Sequence, residues 1–373
     1  MPDRSAPAFE LRAVLAGEIA RSGPMPVARF MALALAHPTL GYYQRRDPLG
    51  AAGDFVTAPE VSQAFGELLG LWLAQAWREL GAPAPVRVVE LGPGRGTLMA
   101  DLLRATAGVS GFHDALRVHL VETSEPLRAR QRARLGDWPV QWHANLDEVP
   151  PGALLLVANE FFDALPVHQL IRTEQGWVER CIGLDANGTL AFVPSGEPSA
   201  MAAEVPAAED APLGSVAEVS PARARLAAKF ARRLVADGGV ALLIDYGAWA
   251  DRPTGDTLQA MRAHAPADPL AAPGEADLST QVDFRALAEA AAEAGAAVYG
   301  PVPQGTFLRA LGIEARIAVL LSRATPEQRH ALRAGLFRLT DPSAMGELFK
   351  VLALAAPAAP PPPGFDAPTL TTG

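Results

Sequence analysis

Cysteine is nearly missing: Cys181 stands alone among 373 residues, which excludes an internal disulfide framework and favours a reducing compartment. Long apolar runs are missing as well. No stretch reaches the roughly eighteen residues that would cross a bilayer, and Met1-Pro2-Asp3-Arg4-Ser5 carries no secretory core. Asp3 and Glu10 depart from the acid-poor composition of transit peptides, so the expected location is the cytoplasm, without membrane insertion. Seven histidines are scattered with no metal-ligand spacing, and no metal site is expected. Basic charge is in deficit. A net charge of −9 provides no overall field for nucleic acid, which is therefore not an expected partner.

What is present is an apolar fraction of 49%, enough for a large core, and one stretch that organises it. Val86-Arg87-Val88-Val89-Glu90-Leu91-Gly92-Pro93-Gly94-Arg95-Gly96-Thr97-Leu98-Met99 reads as strand, tight turn and helix. Glycines let the backbone take positive φ and let a ligand approach it closely, and the helix start offers unpaired N–H groups. A dinucleotide fingerprint would have its third glycine one residue later, where Thr97 stands. Glu90 would repel a pyrophosphate but suits an ammonium or a sulfonium, and S-adenosylmethionine carries both.

Upstream, residues 8–21 and 27–36 have helical periodicity. A long loop over 45–57 follows, containing Asp54 and preceded by Tyr42 and Tyr43; its length and composition suggest a substrate lid. Thr57-Ala58-Pro59-Glu60 matches a capping box, opening a helix that buries Val61, Phe65, Leu69 and Trp72. Downstream, helices and strands alternate, as in a doubly wound parallel sheet. The second strand, 117–121, ends at Glu122, where an acid can accept hydrogen bonds from a ribose diol. The apolar strand 154–157 runs into Asn159-Glu160-Phe161-Phe162-Asp163-Ala164-Leu165-Pro166-Val167-His168, the most polar segment at the sheet's carboxyl edge. Strands over 178–182 and 189–193 read as a hairpin, the segment 240–244 as a strand capped by Asp245-Tyr246-Gly247, and Pro360-Pro361-Pro362-Pro363 as the start of a flexible tail.

Taken together, Gly41-Tyr42-Tyr43, Gly53-Asp54-Phe55-Val56-Thr57-Ala58-Pro59-Glu60, the Glu90 glycine turn, Asn159-Glu160-Phe161-Phe162-Asp163-Ala164-Leu165-Pro166, Asp245-Tyr246-Gly247 and Val282-Asp283-Phe284 resemble the MidA-like group of class I S-adenosylmethionine-dependent methyltransferases. These are bacterial relatives of the mitochondrial protein-arginine methyltransferase that helps assemble respiratory complex I. The resemblance implies an α/β, Rossmann-like, mostly parallel sheet of seven strands, with an N-terminal helical and lid extension (1–82), a methyltransferase domain (83–355) with an insertion at about 170–215, and a tail (356–373). It implies S-adenosylmethionine as cofactor, held by Glu90, Gly92, Pro93, Gly94, Gly96, Thr97, Glu122 and Asn159, and a protein substrate such as a complex I subunit. Ser279 and Gln281 stand where threonine and often histidine would be expected.

An arginine guanidinium is a poor nucleophile until its charge is localised on one nitrogen, which carboxylates can do through forked hydrogen bonds. Glu160 and Asp163 stand three apart and would share a site if their segment turns helically. They are assigned to hold the guanidinium, with Asp54 or Tyr43 assisting and His168 accepting the proton. Asn159 also resembles the asparagine of the N-P-P-F motif, which would instead fit a glutamine or small-molecule nitrogen; a non-catalytic, cofactor-binding assembly factor is the other alternative. The N-terminal helices and the hairpin serve either as cover for the site or as a homodimer contact.

Overall fold

The computed structural model describes residues 6–45, 56–205, 211–249 and 255–370. The chain divides into two compact units, one comprising Met1–Phe55, Asp163–Arg223 and Ala248–Asp283, the other Val56–Phe162, Ala224–Gly247 and Phe284–Gly373. Asp54 and most of the expected lid lie outside the described residues.

Seven strands of the second unit lie in one sheet: β1 (Val86–Leu91), β2 (Leu116–Val121), β3 (Val140–His143), β4 (Leu154–Asn159), β5 (Gly239–Ala248), β6 (Ala297–Pro303) and β7 (Phe349–Ala355). Their spatial order is β3-β2-β1-β4-β5-β7-β6. From β3 to β5 the neighbours are parallel, and β7 is antiparallel to both β5 and β6. This is the doubly wound α/β sheet expected from the alternating pattern, and β4 is buried along its whole length, as a strand covered on both faces must be. Strand order reverses between β1 and β4, the crevice where open α/β sheets bind ligands.

Helices α1 (Gln63–Glu79), α2 (Thr97–Thr106) and α3 (Glu125–Leu135) belong to the same unit. Phe65, Leu69 and Trp72 of α1 share a core with Leu98 and Leu102 of α2 and with Val86, Val88, Leu155 and Val157 of the sheet. Gly70 permits this approach, since a Cβ there would lie 2.8 Å from Leu102 Cα. The expected boundary at residue 82 is thereby corrected: residues 56–82 belong with the sheet, because the apolar stripe of α1 is buried against it.

The flexible tail is a second correction. Trp72 Nε1 donates a 2.7 Å hydrogen bond to the Pro363 carbonyl, Phe365 packs against Tyr299 and Phe307, and Thr369 N–H donates to Val298 O at 2.7 Å. Proline-rich composition signalled extension, which is compatible with docking once aromatic side chains supply an anchor.

In the first unit, His168–Thr173, Gly176–Leu184, Leu190–Pro198 and Val216–Val219 form an antiparallel sheet that Met25–Pro26 joins at Cys181 and Ile182. The expected hairpin is present in it as the pairing of Gly176–Leu184 with Leu190–Pro198. Leu11, Leu15, Phe30 and Met31 of the N-terminal helices share a core with Ile182, Leu258 and Leu278. What the sequence suggested as an insertion at 170–215 is therefore wider, running from Asp163 to Arg223, and is joined by Ala248–Asp283.

Candidate active site

The site is built on β1 and the bend that follows it. Gly92, Gly94 and Gly96 take φ of +59°, +52° and +77°, a region costly for residues with a Cβ. At Gly92 space is limiting too, because a Cβ would meet the Phe161 ring at 2.7 Å. Gly96 N–H donates to Pro93 O at 2.7 Å, closing the turn, and Gly96 caps α2 without any side-chain bond.

Thr97 opens α2, and its hydroxyl donates to Glu60. Arg95 brings its guanidinium 3.9 Å from the same carboxylate. The capping box expected at Thr57 and Glu60 is not formed: Thr57 makes no side-chain cap bond, since Glu60 is drawn to the hydroxyl and the positive charge beside the glycine turn.

Glu90 is 4% exposed, and its Oε2 has no hydrogen-bond partner among the described residues. Burial raises its pKa to about 8, against the opposing Met99 backbone hydrogen bond and with a contribution from the nearby Glu122 charge. A buried carboxylate with an open acceptor calls for a cation. Glu122, just past β2, is also buried. Its Oε1 accepts from Ser124 N–H at 2.8 Å and its Oε2 from Gln131 Nε2 at 3.4 Å; burial pushes its pKa up despite these bonds.

At the end of β4, Asn159 Nδ2 donates to Glu160 Oε1 at 3.1 Å, while the buried Asn159 Oδ1 has no hydrogen-bond partner among the described residues. Glu160 takes φ of +49°. Its N–H donates to Ile244 O at 2.8 Å and its Oε1 accepts from Ala58 N–H at 2.7 Å. Asp245, 1% exposed and three residues before the end of β5, accepts from Phe161 N–H at 3.1 Å and Phe162 N–H at 2.9 Å.

The helical turn expected to stack Glu160 on Asp163 is corrected. A left-handed Glu160 breaks helical spacing, and residues 160–167 run as bends and turns. Asp163 falls in the first unit, where its carbonyl accepts from Thr280 N–H at 3.1 Å and from the buried Arg223 guanidinium at 3.0 Å. Burial raises its carboxyl pKa to about 6, against the pull of Arg223. His168 Nδ1 lies 2.5 Å from Glu179 Oε1, and Tyr43 donates to Asp277 at 2.9 Å; both pairs are internal to the first unit.

Two residues of the site carry no assigned role from the sequence. Gln131 occupies an apolar position of α3, four residues from both Leu127 and Leu135 and fully buried; a polar residue in an apolar stripe is the signal that marks it. Asp245 enters the sequence reading as the cap of a strand and as part of the family resemblance, without a role in the site, and its contacts with residues 161 and 162 depend on strand order.

These residues fit S-adenosylmethionine: an orphaned buried carboxylate oxygen for a cation, a left-handed glycine turn whose main chain carries no side chains at three positions, and an acid just past β2. A family model described as S-adenosyl-L-methionine-dependent methyltransferase matches residues 68–302. Protein arginine methyltransferase NDUFAF7, mitochondrial, from Homo sapiens is 38% identical over 90% of this chain and 81% of its own. The Drosophila melanogaster homolog is 38% identical over 91% and 83%. A crystal structure from Burkholderia thailandensis bound to S-adenosyl-homocysteine superposes with a TM-score of 0.82 at 32% identity, covering 95% of this chain and 94% of that one. The cytoplasmic location expected from the sequence is corrected by these relatives, which are named mitochondrial. Cysteine scarcity reports a reducing environment and does not distinguish one such compartment from another.

Proposed function

Since this chain belongs to the S-adenosyl-L-methionine-dependent methyltransferases, we propose that it methylates arginine side chains of a protein substrate. The observation that carries the choice of arginine is the 38% identity, over 90% of the chain, to a relative named protein arginine methyltransferase. The finer reading, a complex I subunit as substrate, is supported by the motif resemblance drawn from the sequence.

S-adenosylmethionine supplies an electrophilic sulfonium methyl. Around it, this chain's residues position and neutralise. Glu90 and the Gly92, Gly94 and Gly96 backbone would hold the cationic amino-acid portion, Glu122 the ribose, and Asn159 would offer its open Oδ1 to a donor. In-line displacement needs a positioned nucleophile with localised charge. Glu160, at the carboxyl end of β4, is the carboxylate of this unit assigned to grip the guanidinium, which raises the nucleophilicity of the nitrogen turned away from it.

The test is transfer of tritiated methyl from S-adenosylmethionine by the purified protein into lysate of a strain lacking the gene. A discrete labelled band bearing methylarginine by mass spectrometry is the expected outcome. Label on another side chain overturns the arginine assignment, and no label at all overturns transfer to protein.

A further inference from the structure

Gln131 is fully buried and makes three hydrogen bonds that join separate parts of the second unit. Its Nε2 donates to Gly94 O in the glycine turn at 2.8 Å and to Glu122 Oε2 at 3.4 Å. Its Oε1 accepts from Trp142 Nε1 on β3 at 2.8 Å. Chemistry fixes the amide orientation: an indole N–H can only donate, so the oxygen must face Trp142 and the NH₂ must face the carbonyl and the carboxylate. The Arg132 guanidinium lies over the Trp142 ring, 5.0 Å from its centroid, and holds the indole from its face. A Cβ at Gly96 would lie 3.4 Å from Gln131 Cγ.

We propose that Gln131 is a positioning residue for the cofactor, a clamp that locks the glycine turn and Glu122 into one fixed relation. The turn and the acid sit on different β-α connections, and the β1–β2 ladder ties their backbones only as far as Gly92 N–H, which donates to Val121 O at 3.1 Å. Beyond that point one buried amide, with two donors bonded to the Gly94 carbonyl and the Glu122 carboxylate, joins the rest of the turn to the acid's side chain, and Trp142 prevents it from flipping. Apolar residues of similar size would fill the space but leave a partly buried carbonyl and a buried carboxylate oxygen each short of a donor. Glutamate would place a second negative charge against Glu122 unless it took up a proton. The role rests on the cofactor assignment made under the proposed function.

The experiment is calorimetric titration of S-adenosyl-homocysteine into the wild type, Gln131→Leu, Gln131→Glu and Trp142→Phe at several pH values, with melting temperatures alongside. Gln131→Leu should weaken binding about tenfold or more, from loss of a hydrogen bond to a charged group. With Gln131→Glu, the ratio of wild-type to variant affinity should widen as pH rises, because the protonated acid keeps one donor for the Gly94 carbonyl or Glu122 and the ionised acid keeps none. Trp142→Phe frees the amide to flip and should weaken binding by a smaller factor, so the clamp stays testable even if a Gln131 variant fails to fold. Normal wild-type binding with all folded variants within twofold of it, or a Gln131→Glu ratio flat with pH, overturns the clamp alone. No binding by the wild type overturns the cofactor assignment together with it.

Discussion

Phe162 and Asp245 stand 83 positions apart and are joined by a 2.9 Å hydrogen bond from a backbone N–H to a buried carboxylate. The same carboxylate accepts from Phe161 and Tyr246 N–H groups, so one acid among the last residues of β5 shapes the segment that leaves β4 with Asn159 and Glu160. Asp245→Asn retains one acceptor oxygen and turns an NH₂ toward N–H donors. It should cost about 2 kcal/mol and lower methyl transfer by more than stability alone explains, as seen by assaying well below the melting temperature. Transfer equal to wild type would show that Asp245 has no bearing on the site.

Gly92→Ala combines a left-handed backbone with a Cβ 2.7 Å from the Phe161 ring. Strain of about 1–2 kcal/mol from φ and about 1–3 kcal/mol from crowding predicts a lower melting temperature and weaker S-adenosyl-homocysteine binding. Adding Phe161→Leu should recover only the crowding part. Full recovery would mean that the glycine's φ is irrelevant.

Glu90, with its pKa raised to about 8, is largely protonated at neutral pH in the free protein. A cationic ligand favours the carboxylate, so binding should release protons, and affinity should climb as pH rises from about 6 to about 8. Calorimetry in two buffers of different ionisation enthalpy reads this release, which Glu90→Gln should abolish. Proton uptake on binding would refute the pairing.

His119 and His143 lie side by side in the sheet, Nδ1 to Nε2 at 2.9 Å, and the His143 carbonyl accepts from Glu122 N–H at 3.0 Å. Burial, then the His143 charge, lowers the His119 pKa to about 4, below its unfolded value of about 6.5. Between those values the unfolded chain binds more protons. The contribution is therefore complete above about pH 6.5 and is lost as pH falls through about 4, some ~3 kcal/mol in all. Urea denaturation at neutral and acid pH should show His119→Gln losing less stability on acidification than wild type; equal losses would remove His119 from the account.

Glu160→Gln keeps an oxygen for the Ala58 N–H that Glu160 accepts at 2.7 Å, removes the charge and turns the second acceptor into a donor. Binding of S-adenosyl-homocysteine should persist while transfer drops by about a hundredfold or more. Near wild-type transfer would strip Glu160 of its role.

The sheet and the glycine turn were legible because they are local. An apolar run ending in Glu90, three spaced glycines and a helix state their geometry within a dozen residues, and Glu122 follows from strand-end logic one unit later. Errors arose where partners are distant. Glu60 looked like a cap for Thr57 until Thr97 and Arg95 came beside it, and the tail looked free until Trp72 and Phe307 gave Pro363 and Phe365 a seat.

By itself, the order of residues determined the doubly wound sheet, the glycine turn and the chemical character of its ligand, since backbone conformation and periodicity act over a few positions. Only tertiary structure decided that Glu160 and Asp163 do not stack on a helix, that Asp245 holds the segment after β4, and that Gln131 joins turn to acid. Those outcomes depend on which strands become neighbours, a long-range consequence of burying the apolar faces together.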